Sequence, residues 1–187
     1  MDNIKVKNIL IAVSSKETID KLLPLIKSDK IWATEGTAKY IKLKVETVNP
    51  VALGFDFNGR LKTLSRELFA RILADRGQAT HMAELEKMGV EPIDLVIVDL
   101  YKPDSKNFPE SMDIGGQALI RAAIKNYKSV ALAFDASSIA SLVDELVRNS
   151  GSVTLEFRKD QAQKAAKFIA ERAKLEAELF TNNEQRA

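Results

Sequence analysis

Short apolar runs alternate with segments of helical period along this chain, and the alternation limits its fold more than any other feature. Five runs have the length and composition of buried strands, at residues 8–13, 30–34, 43–48, 93–101 and 129–134. Segments with apolar residues at helical spacing follow them, at 14–28, 35–42, 64–75, 80–88, 137–148 and 158–180. Repeated units of strand, helix and strand predict an α/β fold. We expect a mainly parallel sheet with helices on both faces, in a Rossmann-like three-layer architecture.

The length of the chain favours a single domain. Its 187 residues are enough for one sizeable core and few for two. The sequence contains no internal repeat and no low-complexity tract. We therefore predict one domain over residues 1–180, followed by a polar tail over residues 181–187.

The amino-acid composition limits which binding partners and which kinds of chemical site this chain can have. The 28 basic residues nearly balance the 26 acidic residues, which argues against a broad nucleic-acid surface but permits a local cationic pocket for a phosphate. The chain has no cysteine, so disulfides, thiolate metal sites and cysteine nucleophiles are excluded. Because no apolar segment is long enough for a signal peptide or a membrane span, we expect a soluble, cytoplasmic protein without a membrane partner.

Polar stretches follow three of the predicted strands, where an α/β sheet binds its ligands. The first, "VSSK", offers the hydroxyls of Ser14 and Ser15, the cation of Lys16 and free backbone amides, which suit a phosphate. Ser14 with Glu17 also fits a helix capping box, so capping explains the same residues. The second, "ATEGT" at 33–37, offers hydroxyls and a glycine, and plain turn chemistry explains it equally well.

Two further stretches carry candidate chemical groups. "NGRLKTL" places Arg60 and Lys62 two residues apart, where they share a face of an extended segment and can hold an anion, although surface loop charges have the same pattern. "VDLY" ends the longest apolar run with Asp99 and Tyr101, and the phenol can reach a ligand or merely pack with a wet tip. The lone His81 fits the surface start of a helix better than a catalytic role.

The stretch "DIGGQALIRAAIKN" at 113–126 combines an acid, two glycines and a run of helix formers. Paired glycines suggest a sharp turn or a close approach to a ligand, so we predict that the helix begins at or after Gly116 and that Asp113 lies in the preceding loop. A continuous helix would separate Asp113 from Lys125 by about 18 Å. Lys125 therefore reaches a site at Asp113 only indirectly or from a partner subunit, or it simply complements the helix C-terminus.

Five stretches taken together resemble the IMP cyclohydrolase domain of the bifunctional purine biosynthesis protein, which joins a transformylase to a cyclohydrolase. They are "VSSK", "ATEGTAKYI", "GRLKTL", "HMAELEKMGVEPIDLVIVDLY" and "DIGGQALIRAAIKN", and they occur in order over about residues 8–180. The resemblance implies the methylglyoxal-synthase-like fold. The transformylase domain of that family has no counterpart in this chain.

The resemblance also implies a reaction and its residues. The family closes formamidoimidazole carboxamide ribotide to IMP with loss of water, and it uses no metal and no organic cofactor. The matching catalytic positions are Lys62, Tyr101, Asp113 and Lys125. Asp113 would take the amide proton, Lys125 would relay protons, and Lys62 with Tyr101 would steady the oxyanion. The matching substrate-binding positions are Ser14, Ser15, Lys16, Thr34, Glu35, Gly36, Thr37, Arg60, Leu61, Thr63, Ile114 and Gly115.

The sequence departs from the family at three places. In "TEGT", Glu35 stands where the family usually has another glycine, Ser65 and Arg66 replace a His-Pro pair, and "LYKP" replaces Leu-Tyr-Pro-Phe. None of these changes removes a residue with an implied chemical role.

Two other functions fit the same fold. One is a regulatory domain that senses nucleotides, like that of carbamoyl phosphate synthetase, and the other is methylglyoxal synthase. The expected partners are a purine ribotide as substrate, a second copy of the chain in a homodimer, and a separate transformylase, with no nucleic acid.

Overall fold

The structure, a computed structural model, describes residues 3–26, 30–47 and 63–184, with side chains to residue 181. Its strands are β1 (Asn3–Lys5), β2 (Asn8–Ala12), β3 (Lys30–Ala33), β4 (Val45–Thr47), β5 (Leu95–Val98), β6 (Ala131–Ala133) and β7 (Ser152–Thr154). Its α-helices are α1 (Glu35–Tyr40), α2 (Arg66–Leu73), α3 (Ala79–Lys87), α4 (Ile114–Lys125), α5 (Ala136–Arg148) and α6 (Leu155–Glu184).

Five parallel strands form the central sheet in the order β4-β3-β2-β5-β6. Strand β2 pairs with β3 on one side and with β5 on the other, so the chain changes direction across the sheet between β2 and β5. In open sheets of this kind, ligands bind beyond the carboxyl ends of the strands at such a switch point. We call the side of the sheet at which the parallel strands end its carboxyl edge.

Two apolar cores cover the two faces of the sheet. Successive residues of a strand point to opposite faces, and accordingly Ile9 and Ile11 lie in one core while Leu10 lies in the other. Side chains from α5 and the segment before β3 complete the first core, and side chains from α2, α4 and α6 complete the second. The prediction of a parallel sheet with helices on both faces is therefore confirmed.

The segment predicted as one helix at 14–28 contains two short 3-10 helices instead, Lys16–Ile19 and Leu23–Leu25. Pro24 accounts for part of the difference, because proline cannot donate the backbone hydrogen bond that an α-helix interior requires. The prediction of an α-helix here is wrong. The apolar residues Ile19, Leu22 and Ile26 are nevertheless fully buried in the core, as their spacing indicated.

Two further boundaries and one strand pair differ from the sequence predictions. Strand β5 covers only Leu95–Val98 of the predicted 93–101 run. Helix α6 continues to Glu184, so the first residues of the predicted polar tail are helical. The antiparallel pair of β1 with β7 was not predicted, because each strand has only three residues and too short a pattern to recognise.

Among the described residues, no helix has both the length and the apolar character needed to cross a membrane.

Candidate functional site

The loop after β2 meets the end of β5 at the switch point. Asp99, which directly follows β5, accepts hydrogen bonds from the backbone amides of Ser14 and Ser15, the second at 3.0 Å. From the sequence we expected these amides to be free for a phosphate, and that expectation is wrong. An internal carboxylate holds them, and only the side chains of the two serines remain for a ligand.

Lys16 and Thr37 join the loop after β2 to the first turn of α1. The Lys16 ammonium donates to the carbonyl of Val13 and, at 3.1 Å, to Thr37 Oγ1. Thr37 is fully buried, and its hydroxyl also lies 3.1 Å from the hydroxyl of Thr34. The predicted capping box of Ser14 with Glu17 is absent: Ser15 is the N-cap of the first 3-10 helix and makes no side-chain cap bond.

The start of α1 leaves space for a ligand at Gly36. A Cβ atom added to Gly36 would have no neighbour within 4 Å. Glu35 lies beside it, and its carboxylate accepts a hydrogen bond at 2.6 Å from Lys39, one helical turn further on. This hydrogen bond and the positive charge of Lys39 lower the pKa of Glu35. The acid that departs from the family pattern is thus paired with a cation of its own helix.

The first turn of α4 explains the two glycines of the Asp-Ile-Gly-Gly stretch. Asp113 is the N-cap, and its Oδ1 accepts a hydrogen bond from the amide of Gly116 at 2.7 Å. The helix begins at Ile114, so the predicted start at or after Gly116 is wrong, whereas the position of Asp113 before the helix is confirmed. A Cβ atom on Gly116 would lie 2.6 Å from Leu100 Cδ2, so this glycine permits close packing and not a sharp turn.

Gly115 permits a second close contact, with Thr63. A Cβ atom on Gly115 would lie 2.7 Å from Thr63 Oγ1, and Thr63 itself is buried. Thr63 therefore packs against the first turn of α4, immediately after the candidate residues Arg60, Leu61 and Lys62 in the chain. Those three residues lie outside the described part of the structure.

Tyr101 lies between the end of β5 and the start of α4. Its hydroxyl donates to the carbonyl of Met112 at 3.3 Å, and about a third of the residue is exposed, at 36%. Partial burial, together with the negative charge of Asp113, raises the pKa of Tyr101 above 10.0. The phenol therefore keeps its proton at neutral pH, and in this structure that proton is donated to Met112. Ile114, which is 53% exposed, borders the same surface.

Lys125 does not join this group within one chain. It lies in the last turn of α4, and the helix that separates it from Asp113 has 12 residues, a length of about 18 Å. The following residue, Asn126, is buried and donates to the carbonyls of Ile72 and Ala74 at the end of α2. Lys125 itself is exposed. It lies at the end of the sheet where the parallel strands begin, opposite the carboxyl edge.

Two contributions to the site were missed by sequence reasoning. Asp99 was noted as a strand-end acid but was not assigned to the loop after β2, although its place at the end of a buried strand was a usable signal. Arg172, on α6, donates to the backbone carbonyl of Tyr101 at 3.1 Å, and no local pattern connects residues 71 positions apart.

His81 accepts a hydrogen bond from the amide of Asp75 at 3.1 Å, which is a structural contact. Among the described residues, no cluster of three or more acids or histidines is placed to hold a metal ion.

Comparison with known proteins identifies relatives of this chain. The proteins named bifunctional purine biosynthesis protein PurH from Brucella ovis and Brucella canis are each 35% identical to it over 176 residues, which is 86% of this chain and 32% of theirs. The chain thus spans about a third of the length of these curated relatives. No protein-family model matches it.

A solved structure supports the same relationship. The crystal structure of ForH superposes on this chain with a TM-score of 0.79 and 29% sequence identity, and the match covers 94% of this chain and 97% of that one. The chain therefore matches one region of the bifunctional purine biosynthesis protein PurH, the methylglyoxal-synthase-like domain.

Proposed function

We propose that this protein is an IMP cyclohydrolase, which closes formamidoimidazole carboxamide ribotide to IMP with loss of water. The observation that carries the proposal is the grouping of Tyr101 and Asp113 at the carboxyl edge of β5, next to the Ser14–Lys16 loop, in a relative of PurH. A phenol that keeps its proton and an oriented carboxylate are the donor and the base that ring closure requires.

The polar loops after β2 and β3 are the proposed binding site for the ribotide phosphate and ribose. The hydroxyls of Ser14, Ser15 and Thr34 supply hydrogen bonds, and the Lys16 ammonium, 3.1 Å from Thr37 Oγ1, supplies a positive charge. Open space at Gly36 lets a ligand approach the backbone there. Arg60, Leu61, Thr63, Ile114 and Gly115 are proposed to hold the base, on the family pattern.

The chemical step forms one C–N bond and releases one water molecule. The carboxamide nitrogen attacks the formyl carbon and gives up one proton, and the formyl oxygen becomes negatively charged. We assign the proton to Asp113, whose carboxylate is oriented by the amide of Gly116. Tyr101, whose hydroxyl proton turns from the Met112 carbonyl to the substrate, and Lys62 donate hydrogen bonds to the oxyanion. The oxygen then takes up protons and leaves as water while the formamido nitrogen loses its proton, so the reaction balances without a redox or metal cofactor.

Lys125 enters this proposal through a second subunit. Since about 18 Å of helix separates it from Asp113 in its own chain, it serves as a proton relay only if a partner copy presents it. We therefore propose a homodimer in which each site uses Lys125 of the other chain. In this proposal the formylated ribotide comes from a separate transformylase. We also propose that the protein acts in the cytoplasm.

One experiment tests the proposed activity against its alternatives. The pure protein is incubated with formamidoimidazole carboxamide ribotide and, separately, with dihydroxyacetone phosphate, before and after treatment with a chelator. Formation of IMP in both states supports the proposal. Formation of methylglyoxal, or binding of IMP without turnover, would instead indicate a methylglyoxal synthase or a nucleotide sensor. Activity that requires a divalent ion would contradict the proposed chemistry.

A further inference from the structure

Two acids at the two ends of β5 hold the two ends of β2 in the same way. At the amino end, Asp94 Oδ2 accepts hydrogen bonds from the backbone amides of Lys7 and Asn8, at 2.8 and 2.7 Å. At the carboxyl end, Asp99 accepts the backbone amides of Ser14 and Ser15. We call the second arrangement the Asp99 clasp. The two acids differ in their surroundings, because Asp94 is buried and paired with Arg76, whereas Asp99 is half-buried at the switch point.

The Asp99 clasp occupies the place where a sheet of this topology usually presents backbone amides to a ligand anion. A carboxylate of the chain itself satisfies both amides here, each through a charge-assisted hydrogen bond. An incoming phosphate is therefore left with the side chains of the loop. Neither serine hydroxyl forms a hydrogen bond with a described residue, and both serines are exposed.

The clasp is poorly explained as a stability device alone. Ser14 and Ser15 lie on the surface, where water can satisfy their amides if the carboxylate is removed. The core beneath them is built from other residues, with Val13 and Ile19 buried on either side of the turn. What the carboxylate adds is order, because two bonds to successive amides fix the backbone that carries both hydroxyls and leads to Lys16.

We propose that Asp99 is a positioning residue for the phosphate-binding loop of the site: it orders Ser14, Ser15 and Lys16 before the substrate arrives, without contacting the substrate. The inference rests on the proposed function and adds the residue that preorganises its phosphate site. A loop that is ordered in advance loses less conformational entropy when the substrate binds. The clasp therefore contributes to substrate affinity more than to the chemical step.

The test compares Asp99→Asn with the matched control Asp94→Asn. Asparagine keeps the size of the side chain but offers one oxygen acceptor and no charge. One of the two hydrogen bonds from the backbone amides is therefore lost, and the other is weakened. We expect Asp99→Asn to raise KM by about tenfold, as for one charge-assisted hydrogen bond, with kcat within about twofold of the wild type. Asp94→Asn should lower Tm further than Asp99→Asn does and leave KM unchanged.

A second readout follows the clasp directly. Amide hydrogen exchange, or the amide resonances of Ser14 and Ser15, should show protection in the wild type that Asp99→Asn removes and Asp94→Asn keeps. The inference is overturned if these amides are unprotected in the wild type, or if Asp99→Asn leaves KM unchanged or lowers it in an active enzyme. A wild-type protein that neither forms nor binds IMP refutes the proposed function instead, and the amide data then still report whether the clasp exists.

Discussion

Asp113 and Lys125 lie at the two ends of one helix, α4, and its rise holds their backbones about 18 Å apart. Asp113 bonds the first turn through Gly116, while Lys125 emerges from the last turn next to the buried Asn126. A lysine side chain cannot span this distance. A direct contact between these two residues therefore requires two subunits, and this leads to the first prediction.

Mixing two inactive variants should restore activity if the sites are shared between subunits. Asp113→Asn and Lys125→Ala should each be inactive. In a two-fold dimer, each mixed pair then contains one site with both residues intact, so random exchange should recover about a quarter of the wild-type activity. The measurement is IMP formation after the two proteins are unfolded and refolded together.

The controls for this experiment are each variant refolded alone and the size of the protein in sedimentation. Failure to recover activity from a confirmed dimer would mean that the two residues do not act across the interface. A fully active Lys125→Ala protein would show that Lys125 only complements the C-terminus of α4.

Replacement of Tyr101 by Phe should lower kcat by roughly tenfold to a hundredfold, as expected for one oxyanion donor. The loss should be uniform across neutral pH, because the raised pKa keeps the wild-type phenol protonated there. The wild type should lose this advantage only at a pH above the ordinary titration range of a tyrosine, because the pKa of Tyr101 is raised. The pH profiles of kcat for the two proteins test this, and a Phe variant of equal activity would remove Tyr101 from the chemistry.

The same shift has a consequence for stability, and its sign is fixed. The pKa of Tyr101 is higher in the folded protein than the ordinary 10.0, so the unfolded chain releases this proton first as pH rises. Tyr101 therefore contributes a decrease in the free energy of unfolding above pH 10.0, and the Phe variant should lack that contribution.

The Lys62→Ala variant should lose turnover on the order of a hundredfold, the cost of one oxyanion donor. Its matched control is Lys42→Ala, which removes an exposed lysine elsewhere on the surface. The two variants should have the same Tm, and only the first should lose kcat. Similar activity in both would mean that Lys62 is a surface charge.

Sequence patterns predicted the parts of this molecule that depend on burial. Among the described residues, five of the seven strands and the long helices followed from apolar runs and helical spacing, because buried faces impose these periods. Two features depended on tertiary contacts and escaped: Pro24 and its neighbours form 3-10 turns, and the Asp99 carboxylate replaces a ligand at the Ser14 and Ser15 amides. The glycines at 115 and 116 were recognised, but their purpose, close packing in place of a turn, required the positions of Thr63 and Leu100.

The contact of Gly115 with Thr63 gives the last prediction. A Cβ atom on Gly115 would lie 2.7 Å from Thr63 Oγ1, closer than unbonded atoms allow, so Gly115→Ala must displace either Thr63 or the first turn of α4. Both carry the site, because Thr63 directly follows Lys62 and the first turn holds Asp113. We expect Gly115→Ala to lower Tm by several degrees and kcat by at least about tenfold.

A double variant identifies the cause of that loss. Thr63→Ala removes the hydroxyl that the new methyl group would meet, since the Thr63 Cβ lies 4.0 Å away and can stay in place. The Thr63→Ala, Gly115→Ala protein should therefore be more stable than the sum of its single variants predicts, with a coupling measurable by denaturant unfolding. Strictly additive losses would show that the hydroxyl is not the obstacle. By contrast Gly36→Ala, where an added Cβ meets nothing within 4 Å, should not lower Tm, because alanine suits a helix better than glycine. It should raise KM, because the space at Gly36 is proposed to belong to the substrate.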